Sequence, residues 1–323
     1  MAKPFLKWVG GKRSKMAAIM ATIEEECPDG WHTYYEPMVG GGAVFWHLEE
    51  SGMLTPRYRW PANMRELDAD GFPTEYELTD DDNLDKARAP AAVLMDANPD
   101  LINAYREIRE NCPEVMAWLD DFEEICGEGD KRKRFYYWLR NRATPEGDAW
   151  KAARFIWLNK RCFNGLYRTN ASGQFNVPYG DNKGAVFDPS ALRACSRALR
   201  PVLLLCKSFD ERHGPNKFFL EQWSGPGDLF YFDPPYVPIK HDSFVSYTKH
   251  GFDWDDQVRL RQLADALLDK GAYVVLSNSS APAVYELWED ERWKIRGVSV
   301  TRSVGAAAKT RVKAKDVLIT PNW

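Results

Sequence analysis

Short apolar runs recur along the chain at Thr33 to Met38, Ala92 to Met95, Val202 to Cys206, Leu229 to Phe232, Ala272 to Ser277 and Val317 to Ile319. They are a few residues long, rich in aromatic and branched side chains, and predict strands. Helical patterns separate most of them. Ala43 to Glu50 has helical composition, and Pro99 to Arg109 sets Leu101, Ile102, Tyr105 and Ile108 on one face. Asp253 to Leu268 reads as a helix with Asp253 as N-cap. From about Pro113 to Trp157 successive helices are expected with no strand between them. Strand–helix alternation at both ends around a helical middle predicts an α/β sheet domain with a helical domain inserted.

Two segments break the pattern. Residues 51–90 mix Pro, Gly and acids and read as a surface insertion. Asn164 to Gly180, NGLYRTNASGQFNVPYG, reads as a β-hairpin or ordered loop. Charge sharpens this division. The net charge of the 323 residues is only −4, but residues 131–212 carry 17 Lys/Arg against 6 Asp/Glu, and residues 49–85 carry 11 Asp/Glu against 3 Arg. Such segregation suggests a basic face for a polyanion, with Arg-rich solvated helices as the competing explanation. No apolar run approaches the roughly 20 residues of a membrane span, and the N-terminus lacks a signal-like apolar core. The six cysteines form no CxxC pair, which predicts free thiols in a reducing compartment and no structural zinc.

Ligands of open α/β sheets sit outside the carboxyl ends of strands, near helix N-termini. Three places meet that condition. Glu36-Pro37-Met38-Val39-Gly40-Gly41-Gly42 allows close backbone approach, yet it is neither GxGxxG nor GxxxxGK[ST], so neither a nicotinamide dinucleotide nor a nucleoside triphosphate is favoured. Asp96 ends the next strand, where a carboxylate can accept from ribose hydroxyls; its competing role is N-cap of the following helix. Asp233-Pro234-Pro235-Tyr236 closes the run from Leu229. Asp233 and the Pro234 carbonyl are acceptors and Tyr236 offers a ring face, a set suited to a flat ring bearing an exocyclic amine. A rigid strand-to-loop connection is the alternative.

The segments KPFLKWVGGKRSKM, YYEPMVGGGAVF, LMDANPDLINAYREI, NGLYRTNASGQFNVPYG, CKSFDE and YFDPPYVP follow one another in an order that resembles the Dam family of DNA N6-adenine methyltransferases. The resemblance covers most of the chain apart from 51–90. It implies a Rossmann-like, S-adenosylmethionine-dependent methyltransferase sheet over 1–106 and 201–323. A helical target-recognition domain over 107–200 would carry the hairpin 164–180. It also implies that Trp8, Lys12, Glu36, Gly40, Gly42, Asp96, Ser208, Phe209 and Asp233 border the cofactor. Asp233, Pro234 and Tyr236 would hold a flipped adenine in double-stranded DNA. No metal is expected, and the cytoplasm of a bacterial cell or phage-infected host is the expected setting.

DNA contact would fall to Lys131, Arg132, Lys133 and Arg134 on phosphates, and to Arg168, Asn170 and Gln174 on base edges. Each has a plainer role, as a solvated helix start or as hairpin scaffolding. The chain departs from the family in its acidic insertion and in Ala171-Ser172, where a basic residue is frequent, which bears on GATC as the recognition sequence. The basic segment Thr301 to Lys315 is expected as a turn between the last strands. Three other activities share features with this reading: amino-methylation of cytosine N4 or of RNA, non-catalytic DNA binding on the same fold, and dinucleotide-dependent oxidation.

Overall fold

The computed structural model describes residues 1–8, 12, 14–54, 90–142, 147–170, 172–212, 217–239, 252–301 and 313–323. Most of the acidic insertion, Ala171 at the hairpin tip and most of the basic segment before Lys315 lie outside the described residues. The fold is α/β, with ten α-helices among the described residues and a seven-stranded sheet. Two compact units divide the chain. The first comprises Met1–Gly11, Val39–Thr55 and Asn98–Cys206; the second comprises Lys12–Met38, Pro56–Ala97 and Lys207–Trp323. The whole helical middle lies in the first unit.

The second unit holds strands β1 (Tyr34–Glu36), β2 (Ala92–Asp96), β4 (Leu229–Phe232), β5 (Tyr273–Ser279), β6 (Trp293–Thr301) and β7 (Lys313–Pro321), in the order β2-β1-β4-β5-β7-β6. β2, β1, β4 and β5 are parallel; β7 runs antiparallel to both β5 and β6. The parallel strands are short and almost wholly buried, as strands covered on both faces must be. The register sets Tyr35 beside Val93 on one side and Phe230 on the other, where the Tyr35 and Phe230 rings stack at 4.3 Å. Helices α1 (Met16–Glu26), α8 (Phe219–Trp223), α9 (Trp254–Asp269) and α10 (Pro282–Trp288) complete this unit. Asp253 caps α9 as expected: its carboxylate accepts from the Asp256 N–H at 3.0 Å and the Asp256 carboxylate accepts from the Asp253 N–H at 2.7 Å.

β6 and β7 are longer than the patterning suggests. β6 is not among the short apolar runs, because only alternate positions such as Trp293 and Ile295 are apolar; that alternation with Lys294 and Arg296 is itself a strand pattern. Both cations are answered from a distance, Lys294 by Glu26 at 2.9 Å and Arg296 by Glu25.

The first unit is built from α2 (Ala43–Glu50), α3 (Pro99–Glu110), α4 (Cys112–Cys126), α5 (Asp130–Asn141), α6 (Asp148–Arg161), α7 (Pro189–Ala198) and the strand β3 (Val202–Cys206). The predicted face of α3 is the buried one, with Leu101, Ile102, Tyr105 and Ile108 fully enclosed. Asn98, not Asp96, caps it, accepting from the N–H groups of Asp100 and Leu101. Pro99 fits the first helical position because its missing N–H has no intrahelical partner to lose. α6 is buried around most of its circumference. Its last residue, Arg161, pairs with Glu123 at 2.5 Å and donates to the carbonyls of Asn182 and Gly184, which anchors the loop after the hairpin.

Candidate active site and nucleic-acid interface

Parallel β1, β2 and β4 end at one edge of the sheet, and each ends on a carboxylate there: Glu36, Asp96 and, one residue beyond β4, Asp233. Such an edge is where α/β folds receive ligands. Glu36 is buried and accepts from the Tyr34 hydroxyl at 2.8 Å. Burial, with Glu36 beside it, raises the Tyr34 phenol well above its ordinary value, so Tyr34 stays a donor.

Asp233 and Lys12 form an ion pair, with Lys12 only 3% exposed. Among the described residues the other oxygen of Asp233, Oδ1, is buried and has no hydrogen-bond partner. A buried carboxylate oxygen in that state is an acceptor in want of a donor. The Lys12 ammonium also lies 5.4 Å from the centre of the Tyr236 ring. Asp233, Lys12 and Tyr236 are therefore brought together.

Among the described residues the shelf from Asp233 to Pro238 pairs with no strand, and buried polar side chains from α9 and β5 pin it. Gln257 donates to the Pro235 carbonyl at 3.0 Å. Asn278 accepts from the Val237 N–H at 3.2 Å and donates to Gln257 at 3.1 Å, and Ser279 donates to the Val237 carbonyl at 2.5 Å. Gln257, Asn278 and Ser279 are all buried. No local pattern marks them; the one signal available was a Ser-Asn-Ser run inside an otherwise apolar strand. Beyond β3, Ser208 hydrogen-bonds Asp210, which is held in turn by Arg259 at 2.8 Å, and Phe209 is buried with its ring 5.3 Å from that of Phe252.

In the first unit, the glycine turn leads into α2. Gly40 and Gly42 adopt φ of +48° and +63°, left-handed backbone that disfavours any side chain. A Cβ at Gly42 would sit 2.7 Å from the Tyr105 hydroxyl, and one at Gly40 would sit 2.6 Å from the Trp8 indole nitrogen. Tyr105 donates to the Gly40 carbonyl at 3.2 Å. Trp8 is held by its neighbours: Asn159 accepts from the Lys7 N–H at 2.8 Å and donates to the Lys7 carbonyl at 2.7 Å, and the Trp8 ring stacks on Tyr167 at 5.6 Å.

The hairpin exists, with Thr169 bridged antiparallel to Phe175. Arg168, Asn170 and Gln174 are all exposed. They also brace the turn: Asn170 Oδ1 accepts from the N–H groups of Ser172 and Gln174, and Arg168 donates to Asn176 at 2.7 Å. Lys131, Arg132, Lys133 and Arg134 occupy the start of α5. Two exposed aromatic residues went unremarked in the sequence: Phe163 (50%), just before the hairpin, and Trp138 (52%) on α5, with the Arg142 guanidinium 5.0 Å from its ring. Tyr137, Trp138, Asn141 and Arg142 line an open hollow of about 660 Å³. Among the described residues no group of three or more His, Cys, Asp or Glu is placed to hold a metal ion, and no helix is long and apolar enough to cross a membrane.

Comparison with known proteins identifies a family. Residues 83–302 match the family model described as D12 class N6 adenine-specific DNA methyltransferase. The chain is 31% identical over 326 residues to the Type II methyltransferase M1.LlaDCHI of Lactococcus lactis subsp. cremoris, covering 98% of this chain and 95% of that protein. It is 34% identical over 286 residues to the Type II methyltransferase M.MjaIII of Methanocaldococcus jannaschii, covering 86% and 84%. Against the DNA adenine methylase of Escherichia coli strain K12 the identity is 26% over 321 residues, covering 98% and 94%.

Proposed function

Because the chain belongs to the D12 class N6 adenine-specific DNA methyltransferase family, we propose that residues 233–236 present a flipped adenine of double-stranded DNA for methylation, with S-adenosylmethionine as donor. The observation that carries this reading is Asp233: one oxygen is neutralised by Lys12 and the other is a buried acceptor with no hydrogen-bond partner among the described residues. An exocyclic amine supplies the donor that such an oxygen lacks.

The residues present fit the cofactor. In the second unit Lys12 suits an α-carboxylate, Asp96 a ribose, and Ser208 and Phe209 an adenine edge; Glu36 and Asp233 add acceptors at the same sheet edge. In the first unit Gly40 and Gly42 are backbone without Cβ atoms, with Trp8 packed against Gly40, and this stretch is assigned to a methionine moiety. When bound, S-adenosylmethionine supplies the methyl group on a sulfonium. The protein's own part is electrostatic and geometric. N6 of adenine is a weak nucleophile because its lone pair is delocalised into the ring. Asp233 and the Pro234 carbonyl accept from its two N–H bonds, favour the pyramidal nitrogen and accommodate the positive charge that develops there. Tyr236 stacks on the base, which offsets part of the cost of unstacking it from the duplex. Gln257 and Asn278 keep the shelf in place, so the acceptors need no rearrangement during the reaction.

Lys131 to Arg134 are assigned to phosphate contact. Four cations at a helix N-terminus oppose the helix dipole, which supports a polyanion as their partner, with Arg132 also donating to the Gly127 carbonyl at 3.1 Å. Arg168, Asn170 and Gln174 are assigned to base edges, with the hairpin 164–180 in a target-recognition domain over 107–200. GATC is the first sequence to test, and the cytoplasm of a bacterium or phage-infected cell is the proposed setting.

The test is methyl transfer from labelled S-adenosylmethionine to duplex DNA, followed by nucleoside analysis. Label in N6-methyladenine is expected, and Asp233→Ala lowers the rate at least ~100-fold, the scale for losing one transition-state acceptor, with DNA binding retained. Label in N4-methylcytosine, or an undiminished rate in the variant, refutes the assignment.

A further inference from the structure

Tyr236 is bracketed by two lysines, and only Lys12 has a place in the reading above. Lys15 donates to the Tyr236 hydroxyl at 3.0 Å, and its ammonium lies 4.6 Å from the ring centre. Lys15 is itself paired with Asp316. Lys15 is 7% exposed and Asp316 1%. Asp316 cannot drift, because β7 is paired on both sides and sets it opposite Ser279 of β5 and Val298 of β6.

Helix stability does not explain Lys15. It stands at the N-cap of α1, makes no side-chain cap there, and brings a cation to the positive end of the helix dipole. A buried ion pair is also a poor source of stability, since apolar replacements of similar volume are frequently neutral or better. What such a pair provides is a fixed donor. Burial pulls the Lys15 ammonium below its ordinary value, and Asp316 opposes that pull.

We propose that Lys15, locked by Asp316, is a positioning residue that fixes the Tyr236 ring as the face on which the target adenine stacks, and so acts on base presentation and not on cofactor binding. This rests on the reading of residues 233–236 as the adenine pocket.

The test compares the full-length protein with Tyr236→Phe, with Lys15→Met/Asp316→Asn, and with all three changes together. Tyr236→Phe removes the acceptor of the Lys15 bond and keeps the ring. The paired change also removes the charge of Asp316, which Lys15→Met alone would leave buried without that cation. Three quantities are read: single-turnover methyl transfer to duplex DNA, calorimetric affinity for S-adenosylmethionine, and fluorescence of 2-aminopurine at the target position on binding. Groups in one network give non-additive losses. Each variant is therefore expected to lose about tenfold in transfer rate, and the combined variant the same tenfold. Cofactor affinity stays within about twofold, and the 2-aminopurine signal changes alike in all three. Folded Lys15→Met/Asp316→Asn with a wild-type rate and signal overturns the proposal. So does a loss that multiplies in the combined variant, or one that resides wholly in cofactor affinity. Wild-type protein that neither transfers methyl nor changes the fluorescence overturns the pocket reading, and the proposal with it; a responsive wild type whose Lys15→Met/Asp316→Asn variant transfers methyl and responds equally well overturns the proposal alone.

Discussion

Replacing Asp228 by Asn tests whether burial governs the carboxylate that opens β4. Asp228 accepts from the N–H of Thr33 at 3.1 Å and from that of Gly225 at 2.9 Å, so it ties the start of β4 to the segment before β1. Burial raises its pKa from 3.8 to about 6, against the pull of those two bonds and of His32. The sign follows from linkage. Between about pH 4 and pH 6 the folded chain keeps a proton that the unfolded chain has released, so stability falls as pH rises through that window. One pKa unit corresponds to about 1.4 kcal/mol, so the shift amounts to roughly 3 kcal/mol, present below pH 4 and lost above pH 6. The amide that replaces the carboxylate carries no such charge. Urea denaturation across pH 4 to 7.5 should show the stability of Asp228→Asn rising against wild type by that amount through the window. A carbon-13 spectrum of labelled aspartate should show one carboxyl titrating near pH 6 that disappears in the variant. A difference that is flat with pH, or an Asp228 carboxyl titrating near 4, refutes the reasoning.

Other outcomes follow from the first unit and from the thiols. Tyr105→Phe removes the donor to the Gly40 carbonyl and should destabilise that unit by about 1 kcal/mol in urea and weaken S-adenosylmethionine binding about fivefold by calorimetry; unchanged affinity would show that the turn needs no such support. Arg161→Met frees the Asn182 and Gly184 carbonyls and leaves Glu123 without its cation, a loss of about 3 kcal/mol accompanied by faster proteolysis between 180 and 184. All six cysteines are unbridged, and all but Cys206 are buried. Burial pushes Cys27 to about 12 and Cys162 and Cys195 to about 11. Brief maleimide treatment at neutral pH should add one label by intact mass, and the other five only after unfolding; two fast adducts would contradict the packing.

What the sequence discloses is local. Leu229 to Phe232 followed by two prolines announces both a buried strand and its abrupt end, because each signal lies within a few residues. The amphipathic face of α3 is likewise written in its spacing. The cap of that helix was open to misassignment, since Asp96 and Asn98 are both good caps and only the backbone geometry selects Asn98. β6 is passed over when continuous apolar runs are sought, since its signal is alternation, and the glutamates that answer Lys294 and Arg296 belong to α1, far back in the chain. The same holds around the shelf. Asp233, Pro234 and Tyr236 could be picked out as a motif, but Gln257, Asn278, Lys15 and Asp316 reach it from separate elements and acquire meaning only once the sheet has brought them there.

The Trp8 indole touches two things at once. A methyl group added to Gly40 would collide with it, and its ring lies flat on Tyr167, whose own ring meets Phe175 of the hairpin at 5.7 Å. The rings thus form an unbroken series of contacts along which a load on the hairpin could reach the glycine turn, or the reverse. Linkage makes that traffic symmetrical: if a ligand gripping the hairpin alters the hold of the turn on a second ligand, the second must alter the grip of the first by the same factor.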